Sequence, residues 1–252
     1  MKFKGIFFDL YGTLLIYTNN SKAWSDWITT FYRSLKNYGL KLSKESFALK
    51  CDGFFGKEVP FGQNDGLTLY ERRIQRLCRE LNLELSNEEL QSTAKSCLKA
   101  WHKYIVLDPI SIPLLKELKK KRKIALISNF DFAPHIYSVL RNMNLFEYFD
   151  SIVISDEIGV KKPDPNIFNL AFEQTGLGPK EVIYVGDTLE DIQAAKAAGI
   201  YPILIQRNIK SSDSLITDYW ANQDSISNNQ FHLIFKNVKI ISNLQELFDL
   251  IE

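Results

Sequence analysis

The sequence predicts an α/β fold, a parallel sheet covered on both faces by helices, with an all-helical block inserted after the first strand. Three observations carry this. From Lys123 onward, short apolar runs of strand length alternate with stretches whose apolar residues recur at helical spacing, the pattern of repeated strand–helix units. One further apolar run, Lys4 to Phe8, stands at the N-terminus without a helix of its own, so it joins the same sheet. Between them, Tyr17 to Tyr104 carries helical periodicity alone. With 252 residues and 45% hydrophobic content, the chain has ample material for a large core.

In the helical block, Trp24, Trp27, Ile28, Phe31, Leu35 and Tyr38 form one stripe. A second stripe holds Tyr70, Ile74, Leu77, Cys78 and Leu81, with Thr68 and Glu71 spaced as a capping box. A third holds Leu90, Ala94, Cys97, Leu98 and Trp101, opened by Ser86 and Glu89 in the same arrangement. Gly53-Phe54-Phe55-Gly56 and Pro60-Phe61-Gly62 mark a loop whose aromatics suit either a pocket wall or a hydrophobic anchor. Beyond the block, strands are expected at Ile124–Ile127, Ile152–Ile154, Val182–Val185 and Ile203–Ile205. Helices are expected around Ile136–Met143, after Asp164-Pro165, and through Ile192–Ala198. Asp131 is expected to cap the helix carrying Pro134 and Ile136. Asn208 to Gln230 is polar and reads as a long surface loop, which Tyr219-Trp220 are placed to pin. Phe231 to Phe235 suggests a late strand, and Leu244, Leu247, Phe248 and Ile251 a last helix.

The charge balance, 31 basic against 30 acidic residues, provides no overall field to recruit nucleic acid or an anionic membrane. The run Lys119 to Lys123 reads as a solvated helix end before a strand. Cys51, Cys78 and Cys97 lack metal-ligand spacing and suit a reducing compartment as small buried side chains. No apolar stretch approaches the roughly 20 residues of a membrane helix, and Asp9 interrupts the only run that mimics a leader. A soluble, cytoplasmic monomer is the expectation.

In open parallel sheets ligands bind beyond the carboxyl ends of the strands. Asp9 follows the first strand; Ser128-Asn129 follows Ile124–Ile127; Lys162-Pro163 lies between a strand and its next helix; Gly186-Asp187 with Asp191 follows Val182–Val185. Together these supply a nucleophilic carboxylate, a small hydroxyl, a cation and paired acids, an inventory suited to attack on an anionic, metal-bound substrate. From the residues alone, Ser128 equally suits a turn cap, Asp191 a helix N-terminus, and Lys162 or Glu157 the solvated surface.

The four motifs, Asp9-Leu10-Tyr11-Gly12-Thr13-Leu14, Ser128-Asn129, Lys162 before Pro163-Asp164-Pro165, and Gly186-Asp187 with Asp191, resemble in order those of the haloacid dehalogenase superfamily. The resemblance covers Lys4 to Leu14 and Lys123 to Ile205. It implies a Rossmann-like core, residues 1–15 and 105–252, and an inserted helical cap, residues 16–104, that opens and closes about its two entry points. It also implies Asp9 as nucleophile and Mg²⁺ held by Asp9, Asp187 and the Tyr11 carbonyl, with Asp191 supporting or joining them. Ser128 would bind a phosphoryl oxygen and Lys162 would neutralise the nucleophile and transferring group; apart from the resemblance, Glu157 is placed equally to orient Lys162 or to be a solvated acid. Thr13, Asn129 and Tyr11 would shape the substrate pocket, and Gly53 to Gly62 would be the loop that selects the substrate.

Tyr11 departs from the phosphatase pattern, which places a second Asp there to protonate the leaving group and activate water. A phenol with a pKa of about 10 is a poor base near neutrality. The superfamily's 2-haloacid dehalogenases carry Tyr at this position, but they use no metal and lack the Gly-Asp motif with its second acid; Arg33 is a candidate for their halide-contacting arginine. The metal motif outweighs Tyr11. The expected activity is Mg²⁺-dependent hydrolysis of a small phosphorylated metabolite through an aspartyl phosphate. The alternatives are metal-independent 2-haloacid dehalogenation and low-turnover binding of a phosphorylated ligand.

Overall fold

The computed structural model describes residues 3–57, 59, 65–207 and 238–251. Its centre is a six-stranded parallel sheet in the order β5 (Ser151–Ile154), β4 (Lys123–Ser128), β1 (Gly5–Phe8), β6 (Val182–Gly186), β7 (Tyr201–Ile205), β8 (Lys239–Ile241). The lone N-terminal strand thus takes a central position. Gly5 to Phe8 pair with Lys123 to Leu126 on one side and Val182 to Val185 on the other. All four residues of β1 are buried, as expected of a strand enclosed on both faces.

Side-chain alternation along these strands feeds two layers of core. Ile6, Phe8, Leu126 and Val185 share one cluster with Leu114, Leu118, Ile136 and Leu140. These come from α5 (Ser111–Lys119) and α6 (Ala133–Asn142). Phe7, Ala125, Ile127 and Tyr184 pack on the other face with Phe168, Ala171 and Ala195. The helices here are α8 (Asn169–Thr175) and α9 (Leu189–Ala197). A short α7 (Ser155–Ile158) follows β5, and α10 (Glu246–Ile251) ends the described chain. The lysine run is a helix end and strand start, as expected, with Lys119 and Lys123 both paired to Asp150.

The helical block consists of α1 (Asn20–Asn37), α2 (Lys44–Lys50), α3 (Leu69–Glu80) and α4 (Asn87–His102). Both predicted capping boxes form, Thr68 with Glu71 and Ser86 with Glu89. The three predicted stripes meet in one cluster built on Trp27, Phe31, Tyr70, Ile74, Ala94 and Leu98, in which Cys51, Cys78 and Cys97 are buried free thiols. The ends of the block were not expected to be strands. Leu15–Tyr17 (β2) and Ile105–Leu107 (β3) pair antiparallel as a two-stranded ribbon at the junction.

Asp131 does not cap α6. Its carboxylate accepts from Arg73 Nε of α3 at 2.6 Å, and α6 instead starts at Phe132 without a cap of its own. Asp156 supplies the missing acceptor. Its Oδ2 takes the Ala133 N–H at 3.1 Å, while its Oδ1 takes the Leu69 N–H at 2.7 Å. One carboxylate thereby joins the first turn of α6 to the first turn of α3. The polar stretch Asn208 to Gln230 and the late strand at Phe231 to Phe235 lie outside the described residues. The sheet instead gains β8, parallel to β7. No described helix is long and apolar enough to cross a membrane.

Burial raises the Asp156 carboxyl to about 6, outweighing the two N–H donors that favour its ionised form. An unfolded aspartate titrates near 3.9. Between those values the folded chain holds a proton that the unfolded chain does not. The stability this group contributes is therefore present at low pH and lost as pH rises through about 6. Urea unfolding should show the wild type gaining stability relative to Asp156→Ala between about pH 7 and about pH 5. A gain in the opposite direction would mean that the ionised carboxylate is the stabilising form.

Candidate active site

Parallel strands put all their carboxyl ends on one edge, and the order β4–β1–β6 sets three of the predicted positions side by side there. Asp9 follows β1 in the centre, Ser128 ends β4 on one flank, and Asp187 follows β6 on the other. The Asp9 N–H continues the ladder to Val185 O at 2.9 Å, which fixes where its side chain starts. Two glycines make room. At Gly12, with φ +89°, a Cβ would collide with the Asp187 carboxylate, and at Gly186 a Cβ would collide with Asp191.

Lys162 enters from the loop after α7 and is 3% exposed. Its ammonium donates to Asp191 Oδ1 at 2.6 Å, Asp9 Oδ1 at 2.7 Å, Tyr184 Oη at 3.0 Å and the Ile127 carbonyl at 3.2 Å. Burial alone would lower its pKa, but the Asp191 and Asp9 carboxylates outweigh it and hold the amine protonated. Lys161 is exposed, so of the two adjacent lysines only Lys162 reaches the acids. Glu157 does not orient it; Glu157 accepts from the Tyr137 hydroxyl at 2.9 Å.

The three carboxylates are not equivalent. Asp191 is buried, yet Lys162, Thr188 and Tyr184 hold its pKa below the usual value. Its Oδ1 serves Lys162 and Tyr184, and its Oδ2 accepts the Thr188 N–H and hydroxyl at 2.9 and 2.7 Å. Asp191 is thus a brace for Lys162 and for the turn that starts α9. Asp9 is pushed above its ordinary pKa by burial and by Asp191, against the pull of Lys162. Asp187 is pushed up further, by burial and then by Asp9 and Asp191. The Thr13 hydroxyl, at 3.4 Å, is the side chain that meets it. One carboxylate oxygen from each of Asp9, Asp187 and Asp191 lies within 4.8 Å of the others. Three acids against one lysine leave a surplus of negative charge beside hard oxygen donors, a set that fits a divalent cation such as Mg²⁺ or Ca²⁺.

Asn129 lines the cavity and also has a second role. Its Oδ1 accepts the Lys162 N–H at 2.9 Å and its Nδ2 donates to the Lys162 carbonyl at 3.0 Å, so it clamps the lysine's backbone. Thr13 is fully buried and turned to Asp187. Tyr11 lines the cavity and packs against Phe130 and Trp101, each at 5.2 Å between ring centres. Its hydroxyl is buried without a hydrogen-bond partner among the described residues, and burial and Asp9 push its pKa far above the ordinary phenol value. It stays protonated and serves as no base. Arg33 is exposed on α1 and does not line the cavity.

Two contributors escaped the sequence reading. Tyr184 lies inside a strand that reads as plain core, and only the alternation that points it to the same face as Lys162 hints at its role. Arg207 follows β7 at the edge of the polar stretch. It donates to the carbonyls of Gly12 and Thr13 at 3.2 and 2.5 Å and pairs with Asp108 at 2.6 Å. It so ties the turn after Asp9 to the chain returning from the helical block.

A family model described as haloacid dehalogenase-like hydrolase matches residues 3–199. The chain is 31% identical over 156 residues to the Rhythmically expressed gene 2 protein of Drosophila melanogaster, a match that spans 58% of each protein. It is 28% identical over 228 residues to pyrimidine 5'-nucleotidase YjjG of Escherichia coli (strain K12), covering 88% of this chain and 94% of that one. Its fold is similar to the crystal structure of a HAD phosphatase from Thermococcus onnurineus, with a TM-score of 0.63, 22% identity, and coverage of 99% and 97% of the two chains.

Tyr184→Phe removes a hydroxyl that donates to one buried ion and accepts from another. Its unfolding free energy in urea should fall by about 1–3 kcal/mol, the usual cost of leaving a buried charged group one partner short. Unchanged stability would show that Asp191 and Lys162 do not depend on this hydroxyl.

Proposed function

Since the chain belongs to the haloacid dehalogenase-like hydrolases, we propose that it is a Mg²⁺-dependent phosphohydrolase acting on a small phosphorylated substrate through an aspartyl phosphate on Asp9. The observation that carries this reading is the charge imbalance at the strand ends: Asp9, Asp187 and Asp191 converge within 4.8 Å around one ammonium. A metal-free site would leave Asp187 uncompensated and would repel an anionic substrate.

Asp9, Asp187 and the Tyr11 carbonyl would hold the ion, with Asp191 behind them. When bound, Mg²⁺ offsets the carboxylate charge and polarises the phosphoryl oxygens. In the first step the Asp9 carboxylate attacks phosphorus, the bond from phosphorus to the leaving oxygen breaks, and the leaving group departs with the electron pair. Lys162 offsets charge on Asp9 and on the transferring group, and its orientation is held by Asn129, Asp191 and Tyr184. Ser128, buried at the end of β4 and lining the same cavity, is the hydroxyl donor for a phosphoryl oxygen. Water then attacks the phosphorus of the aspartyl phosphate, releasing phosphate and restoring Asp9. Without a carboxyl at position 11, leaving groups that need no proton are favoured.

Residues 1–15 and 105–252 form the hydrolase core in this reading, and residues 16–104 a cap joined through the β2–β3 ribbon. The cap would close over the substrate and exclude water. The presence of Tyr11 is the one feature that favours a 2-haloacid dehalogenase instead, because halide leaves unprotonated.

Phosphate release from p-nitrophenyl phosphate and acetyl phosphate should require Mg²⁺, stop with EDTA and vanish in Asp9→Asn. Halide release from 2-chloropropionate that persists in EDTA would overturn the phosphohydrolase reading in favour of a dehalogenase. Metal-dependent binding of a phosphate analogue without turnover would indicate a phospho-ligand-binding protein. Asp187→Asn should remove the response to Mg²⁺. Tyr11→Asp restores an acid–base group, and should raise turnover of alkyl phosphates by up to about a hundred- to ten-thousandfold while aryl phosphates gain much less. An equal change on both classes would mean that leaving-group protonation is not what Tyr11 limits.

A further inference from the structure

The cavity above Asp9 has a volume of about 820 Å³, large for a two- or three-carbon phosphate and within the range of sites for drug-sized ligands. Its two ends differ in chemistry. Among the described residues, every charged lining group comes from the strand-end side, from Asp9 and from residues 161–207. Among the described residues, the helical block and its ribbon contribute eight lining side chains. Five are aromatic (Tyr17, Trp24, Trp27, Phe55 and Trp101), and none is charged.

These rings are held in place. Trp24 stacks on Trp27 at 4.7 Å with 8° between the planes, and Trp27 is anchored by its Nε1 donating to the Tyr70 hydroxyl at 2.6 Å. Phe55, 48% exposed, leans on the same pair. Among the described residues of the Gly53 to Gly62 loop, it is the one that lines the cavity. At the junction Tyr11 stacks on Phe130, extending the aromatic lining down to the nucleophile. A carboxylate or second phosphate on the leaving group would lose its hydration against this wall and meet no counter-charge. A flat apolar ring would lose nothing comparable and would gain ring-to-ring contact.

We infer that this wall is a subsite for an uncharged planar ring on the leaving group, and that the substrates are phosphate esters or anhydrides of aromatic or heteroaromatic compounds, nucleoside monophosphates among them, rather than phosphorylated carboxylic acids. The inference rests on the phosphohydrolase reading.

Acyl phosphates test it cleanly, because benzoyl phosphate and acetyl phosphate both release a carboxylate that needs no proton. In Mg²⁺ the wild type should favour benzoyl phosphate in kcat/KM by about tenfold or more, the scale of one or two aromatic contacts. Trp24→Ala should erase most of that ratio, chiefly through KM, and Trp24→Phe should keep most of it. Binding gives a second readout. Benzylphosphonate should quench tryptophan fluorescence at concentrations where methylphosphonate and phosphonoacetate do not. Equal or better turnover of acetyl phosphate, or tighter binding of phosphonoacetate, overturns the ring subsite and leaves the phosphohydrolase standing. Absence of phosphate release from both acyl phosphates overturns the phosphohydrolase and the subsite together.

Discussion

The ammonium of Lys162 is the interaction on which the catalytic edge of this molecule depends. Two ionisable carboxylates, Asp9 and Asp191, face each other across it in a space almost closed to water. Their mutual repulsion is tolerable because the cation sits between them, donating also to Tyr184 and the Ile127 carbonyl. Removing one partner of such a buried pair typically costs about 3–5 kcal/mol, because the other is left uncompensated. Asn129 and the Asp191–Thr188 brace are then understandable as the means of fixing the lysine from its backbone and its acceptor at once.

Asp187 stands outside that compensation. It is raised by the same burial and by the same neighbours, with the Thr13 hydroxyl beside it. The site is therefore balanced around Lys162 and deliberately unbalanced one carboxylate away. That asymmetry leaves one carboxylate without a cation of the protein beside it, in the set of oxygen donors that fits a divalent ion. Tyr11 adds a second asymmetry. Its ring continues the hydrophobic wall while its hydroxyl, unpaired among the described residues, stays protonated beside Asp9.

The helical block is attached at several points. The β2–β3 ribbon carries the chain across, Arg207 ties the outgoing and returning segments, and Asp156 and Asp131 hold α3 against the core. α1 presents Trp24 and Trp27 to the same cavity that ends at Asp9, so the wall and the floor of that cavity come from different layers of the chain. Among the described residues that line the cavity, the charged side chains all come from the strand-end layer, whereas aromatic rings come from both layers.

Local periods in the sequence were sufficient for the alternating strands and helices, the inserted helical block, both capping boxes and the strand-end positions of Asp9, Ser128, Lys162 and Asp187. Each of those is decided by neighbours a few residues away. The misreadings came from polar side chains whose partners lie far along the chain. Asp131 looked like a cap and pairs with Arg73; Tyr184 looked like core and bonds two buried ions; the clamp that Asn129 puts on Lys162, beside its place in the cavity wall, was not foreseen. The β2–β3 ribbon was missed because three residues are too few to show a period. Sequence alone therefore placed Asp9, Ser128 and Asp187 at the strand ends, but not Tyr184 or Arg207 beside them. Only the strand order β4–β1–β6 and the packing of α1 over it decided which of them touch, since those contacts join residues far apart in the chain, Thr13 and Asp187 being separated by 174 positions.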